Sequence, residues 1–288
     1  MTQLIDGGLS TELERLGAVF DGPLWTAHAL LQEPALIVEA HRNFVDAGAR
    51  VIITSSYQIS RSGFLAAALD ESAADQALRS SVFAAREAVA GSDAKVAASI
   101  GPYGATLHDG SEYRGNYGVS EEALFNFHRQ RIEILQEAGP DILLAETIPD
   151  LTEVKALARA LADCMLPVWF SFTVKDAEHL WSGDKISDAI EVINEIPNLQ
   201  VVGFNCIRPD LVVDVVTLAQ SLSTAAIAVY PNHGGGWNAK LGQWDSPQAH
   251  NLASFWPTWS SLGLTFVGGC CGVDALEIRE LGQLLPKS

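Results

Sequence analysis

Apolar positions along the chain alternate between two rhythms. Short runs rich in Val, Ile, Leu and Ala are each followed by a longer stretch in which apolar residues recur at helical spacing. The short runs predict strands at 4–8, 50–57, 95–101, 141–147, 167–173, 200–206, 226–232 and 264–271. The longer stretches predict helices at 34–49, 71–91, 120–139, 210–221 and 247–262. Pro34 suits a first helical turn, where its missing N–H is not needed, and Gly48 supplies the stop. In the 120–139 stretch Leu124, Phe127, Ile132 and Leu135 approximate one apolar stripe. Eight βα units predict an α/β fold, a single (β/α)8 barrel of the TIM type spanning residues 1–288. A doubly wound open sheet is the alternative. DGGLSTEL after the first strand lacks the G-x-G-x-x-G phosphate loop usual in that fold.

Composition narrows the setting. At 288 residues and 48% apolar content the chain can bury a large core. The opening MTQLIDGG has neither a basic stretch nor an apolar run, so no secretory signal is read there. No apolar segment approaches the ~20 residues a bilayer requires, and no membrane partner is expected. The expected location is the cytoplasm, where cysteines stay reduced and act as ligands or nucleophiles. A formal net charge of -17 argues against nucleic acid, whose phosphates need a basic patch. It speaks first to solubility, and only weakly to a cationic substrate. The oligomeric state is left open.

A barrel carries its chemistry at the carboxyl ends of its strands. Read in order, those ends hold Asp6-Gly7-Gly8, Tyr57, Gly101-Pro102, Glu146-Thr147, Ser171 with Thr173, Asn205-Cys206, Asn232 and Cys270-Cys271. Polar groups and glycines follow apolar runs at every one. Cys206, Cys270 and Cys271 end the sixth and eighth strands, so one mouth would collect all three. A disulfide between the adjacent pair is disfavoured, because neighbouring Cα atoms are ~3.8 Å apart and ordinary bridges want ~4.4–6.8 Å. Gly268 and Gly269 relax the backbone before the pair, so both sulfurs can face one point. Three thiolates suit zinc, and a zinc with three protein ligands keeps one position open, as catalytic sites do. Three buried cysteines without a metal is the competing reading. Cys164, at a helix end, reads as core.

With these residues in view the chain resembles the homocysteine S-methyltransferase family along nearly its whole length. The resemblance is carried by LIDGGLSTELERLG, PLWTAHALLQEPALIVEAHRNFVDAGA, TSSYQIS, SIGPYGA, LLAETIPD, WFSFT, YPN and the pair GFNC and GGCC. DGSEYRGNYG and SFTVKDAEHL look most like the subgroup that uses S-methylmethionine. The resemblance implies one Zn2+ per chain on Cys206, Cys270 and Cys271. It implies that Asp6 and Glu146 hold the amino acid part of homocysteine, with Gly7 allowing close backbone approach. It puts Tyr57 and Trp25 near the methyl donor, where aromatic faces can meet a cation. Asn205, beside Cys206, is counted with the substrate pocket. The partners implied are two small molecules, homocysteine and a methyl donor, with S-methylmethionine preferred over S-adenosylmethionine.

The chain departs from the family pattern twice. Gly272-Val273-Asp274 follows GGCC where an Arg or Lys and a Thr-Thr-Pro segment are usual. His233-Gly234-Gly235 follows YPN where Ser-Gly-Glu is usual. His233 is weighed as a fourth zinc ligand against a plain solvated histidine. The alternatives carried forward are a betaine donor, a selenol acceptor, and a barrel that keeps zinc without catalysis. A cobalamin route is set aside, since one barrel uses the whole chain.

Overall fold

The computed structural model describes residues 1–19, 24, 26–233, 237–238, 243–244 and 251–286. Eight parallel strands run β1 (Gln3–Leu4), β2 (Val51–Ile53), β3 (Lys95–Ile100), β4 (Ile142–Ile148), β5 (Val168–Phe172), β6 (Leu199–Asn205), β7 (Ala226–Tyr230) and β8 (Phe266–Val267). They pair in sequence order, and β8 returns to pair with β1. A parallel bridge from Ile5 to Val51 joins β1 to β2. There the Asp6 N–H donates to the Val51 carbonyl at 3.1 Å and the Arg50 N–H to the Leu4 carbonyl at 2.8 Å. An open doubly wound sheet has two free edges. This sheet closes on itself, as the repeating βα pattern predicts.

Each predicted strand overlaps an observed one, and most are shorter, because the chain leaves extended geometry at the polar residues. The helices follow their caps. Pro34–Ala47 has Pro34 in its first turn and ends at Gly48 with φ 106. Glu71–Val89 and Glu121–Glu137 begin behind Asp70 and Ser120, whose side chains accept backbone N–H groups. The expected 247–262 helix differs. Residues 247–250 lie outside the described residues, and the remainder is a 3-10 turn, Leu252–Phe255, running into a single helical turn, Trp256–Trp259. Its aromatic residues pack rather than extend a helix: Trp259 is buried and stacks on Phe255 at 5.4 Å.

Two apolar layers result. One fills the space between the barrel and its helices. The other lies inside the barrel and draws on alternate strand positions: Ile5, Val51, Ala97, Ile142, Leu144, Trp169, Val201, Ala228 and Tyr230. Trp169 packs on Phe266 at 4.4 Å across this inner layer. The period of two then places the next inward residue of each strand above it. For β4 that residue is Glu146, two positions after Leu144. For β3 it is Ser99, and on β6 the same face carries Gly203 and then Asn205. Apolar residues thus form the floor, and polar ones line the mouth. No helix among the described residues is long and apolar enough to cross a membrane.

Candidate functional site

The mouth is held together by hydrogen bonds between loops. Gly269 N–H donates to the Asp6 carbonyl at 3.1 Å, and Gly8 N–H to the Val273 carbonyl at 2.8 Å. Cys270 N–H donates to the Pro231 carbonyl at 2.8 Å, and His233 N–H to the Cys271 carbonyl at 3.1 Å. The loops after β1, β7 and β8 therefore form one backbone unit. Close approach is the reason for glycine here: a Cβ on Gly8 would lie 2.6 Å from the Cys270 carbonyl oxygen.

Where this unit meets the end of β6, one ligand atom each from Cys206, Cys270 and Cys271 falls in a group within 4.8 Å of one another. Convergence of the three cysteines, expected from the strand ends, is therefore met. Cys206 and Cys270 are joined as a disulfide with Cα atoms 5.5 Å apart, leaving Cys271 free. Sulfurs that face one point are also close enough to oxidise, and that Cα separation suits an ordinary bridge. Burial pushes the Cys271 thiol up to about 12. His233 does not join the group. Its Nδ1 lies 3.0 Å from Glu277 Oε2.

Asp6 and Glu146 both lie above the apolar floor, 2% and 6% exposed. Asp6 Oδ2 accepts the Ile53 N–H at 2.7 Å, while Oδ1 has no partner among the described residues. Glu146 Oε1 accepts a short hydrogen bond from Ser99 Oγ, and the Tyr230 hydroxyl faces the same carboxylate. Burial raises the Asp6 carboxyl well above the usual range, with the Glu146 charge adding to it. Burial likewise lifts Glu146 to about 7. No Lys, Arg or His forms an ion pair with either among the described residues.

The sign of this strain is testable. A carboxyl whose folded pKa is raised keeps its proton longer in the folded than in the unfolded state, so stability falls as pH rises through the gap. For Glu146 the gap runs from 4.5 to about 7. The ligand-free protein is expected to lose melting temperature across that window, and Glu146→Gln to lose less. Thermal unfolding of both across the window checks this; profiles of equal slope would contradict it.

Backbone strain marks the two strand ends that carry these groups. Thr147 has φ 60 and Cys206 φ 50, a left-handed region uncommon for residues with a Cβ. The β4–β5 register shifts between Ala145 and Ile148, the stretch that holds Glu146 and Thr147. Asn205 holds both ends. Its Oδ1 accepts the Thr147 N–H at 2.8 Å and the Ser171 hydroxyl at 2.7 Å, and its Nδ2 donates to Thr147 Oγ1 at 2.7 Å. Asn205 is fully buried, so the structure gives it protein partners and a positioning role at the pocket wall.

Tyr57 lies on the loop after β2, where Gly101 makes room for it: a Cβ there would be 2.5 Å from Tyr57 Cδ2. Arg131 fixes that loop, donating to the carbonyls of Tyr57 and Gly101 at 2.8 Å each. Trp25, expected beside it, lies outside the described residues, as do Gly234 and Gly235. Sequence reasoning passed over Ser99 and Tyr230, although the period of two points both inward. It also gave no role to Glu112 and Tyr113 within DGSEYRGNYG. The Tyr113 hydroxyl faces the Cys271 sulfur from the loop after β3.

Comparison with known proteins bears on this arrangement. The homocysteine S-methyltransferase family model matches residues 3–285. Homocysteine S-methyltransferase 1 of Zea mays is 37% identical, over 98% of this chain and 94% of its own. Homocysteine S-methyltransferase of Escherichia coli is 39% identical, over 96% and 93%. Among solved structures, the homocysteine methyltransferase MmuM from Escherichia coli in its metallated form superposes with a TM-score of 0.88 at 38% identity, covering 98% of this chain and 96% of that one. Its oxidized form gives the same TM-score at 37% identity, covering 98% and 95%.

Proposed function

The chain belongs to the homocysteine S-methyltransferase family, and on that premise we propose that it is a zinc-dependent enzyme. It moves a methyl group from a sulfonium donor, S-methylmethionine before S-adenosylmethionine, to the sulfur of L-homocysteine, forming methionine. One observation carries this reading. A single mouth brings together three cysteine sulfur positions within 4.8 Å and two buried carboxylates without a protein cation among the described residues.

The donor set fits the metal. Cys206, Cys270 and Cys271, once reduced, would hold zinc through three soft sulfur ligands. When bound, the metal would supply homocysteine as a thiolate at neutral pH, where a free thiol of pKa ~8.5 is mostly protonated. The chain's own residues do the rest. Asp6 and Glu146 offer negative charge to the substrate ammonium, and Ser99 and the Ile53 N–H hold those carboxylates in place. Tyr57 offers an aromatic face to the donor cation. In the transfer, the thiolate electron pair forms the new S–C bond. The donor C–S bond breaks with its pair going to the donor sulfur, which leaves neutral. No proton moves in this step, so the protein contributes chiefly alignment, which can lower a barrier by ~7–11 kcal/mol in well-oriented systems.

The test is methionine formation by purified, reduced, zinc-loaded protein given homocysteine with S-methylmethionine, S-adenosylmethionine or betaine in parallel. The highest rate is expected with S-methylmethionine. Turnover with betaine alone would replace the sulfonium by a quaternary ammonium donor. No turnover with any donor, from folded protein holding one zinc, would reject the reaction.

A further inference from the structure

Glu112 lies in a 3-10 turn, Ser111–Tyr113, on the loop after β3. Its Oε2 is buried and has no hydrogen-bond partner among the described residues, and it enters no ion pair there. The nearest cation on its own turn, Arg114, is engaged by Asp109 and Ser111. Facing Glu112 from other elements are Tyr57 after β2 and Cys271 after β8, with Tyr113 beside it. Its carboxylate is close enough for its charge to reach all three. A buried carboxylate oxygen in this condition needs a proton or an outside cation.

Asp6 and Glu146 already account for the homocysteine ammonium. Glu112 comes from a different loop, the one after β3, and lies near the free cysteine and the rings of Tyr57 and Tyr113. The donor must bring its methyl carbon to the sulfur held beside Cys271, so its sulfonium centre is the part forced into this region. We propose that Glu112 is a specificity-determining residue that neutralises the donor's sulfonium charge and so separates the cationic donor from the neutral thioether it becomes. This rests on the sulfonium reading above. The positive charge disappears during transfer, so the contact favours bound donor over the transition state. It therefore acts on donor affinity and product release, and its loss leaves kcat unchanged or higher.

The experiment compares the zinc-loaded parent with Glu112→Gln and Glu112→Asp at saturating homocysteine. It measures the donor KM, kcat and the inhibition constant of methionine against the donor. Methionine shares the amino acid group of S-methylmethionine and lacks its sulfonium charge. For E112Q the donor KM is expected to rise at least ~10-fold, as for truncation of one partner of a buried charge pair. The methionine inhibition constant is expected to stay within about threefold, and kcat to hold or rise. E112D, which keeps the charge, is expected to recover most of the donor affinity. A parallel rise in the donor KM and the methionine inhibition constant would assign Glu112 to the ammonium and overturn the proposal. So would an unchanged KM in E112Q, or equal losses in E112Q and E112D. Failure of the parent itself to use a sulfonium donor would instead remove the reading on which the proposal rests.

Discussion

Replacing Cys206, Cys270 or Cys271 singly by serine is expected to abolish stoichiometric zinc binding and to lower methionine formation more than ~100-fold. Loss of thiolate formation alone costs about 30-fold at pH 7, from a thiol pKa of ~8.5. Displacing the bound sulfur adds to this, since even indirect changes around a metal cost ~10–100-fold. The barrel should remain folded, because its inner and outer apolar layers contain none of the three. Metal analysis, circular dichroism and initial rates on reduced protein separate the outcomes. Full zinc in any one variant excludes that cysteine as a ligand. Loss of fold together with zinc would make the site structural rather than catalytic. Reduction is essential to the comparison, because Cys206 and Cys270 are bridged in the structure and a bridged pair has no thiolates to offer.

Glu146→Gln is the second large effect. The carboxylate is 6% exposed, accepts a hydrogen bond from Ser99 and has no cation of its own among the described residues. It is built to receive charge from outside. Removing one member of a buried ion pair costs ~2–5 kcal/mol, which is ~30-fold to several thousandfold in affinity. The homocysteine KM should rise by at least the lower figure while zinc content stays at the parent level. The free enzyme should at the same time become more stable above neutral pH, because a buried negative charge has gone. An unchanged homocysteine KM would take the ammonium away from Glu146 and leave Asp6 as its partner.

The fold was legible because a barrel repeats one local signal. Eight apolar runs, each ending in polar residues or glycine, already mark which strand ends share a mouth. Cys206 and the Cys270–Cys271 pair could be joined by topology alone, and so could Asp6 and Glu146. The period of two also carried information left unused: Ser99 and Tyr230 stand on the inward face of β3 and β7. Asn205 was legible in position and not in role, because its partners Thr147 and Ser171 come from β4 and β5. The left-handed backbone of Thr147 and Cys206 has no sequence signature, since neither residue is glycine. Glu112 and Tyr113 lie in an irregular loop, where hydrophobic rhythm is silent and only packing sets direction.

The central claim is that the three cysteines hold a zinc that takes up homocysteine as its thiolate. Titration calorimetry of homocysteine into reduced protein, with and without zinc, in buffers of different ionisation enthalpy, reads both affinity and proton release. The account predicts tighter binding to the zinc-loaded protein, with about one proton more released per homocysteine near pH 7, as expected for a thiol of pKa ~8.5 deprotonated on binding. Equal affinity and equal proton release in the two forms would contradict it.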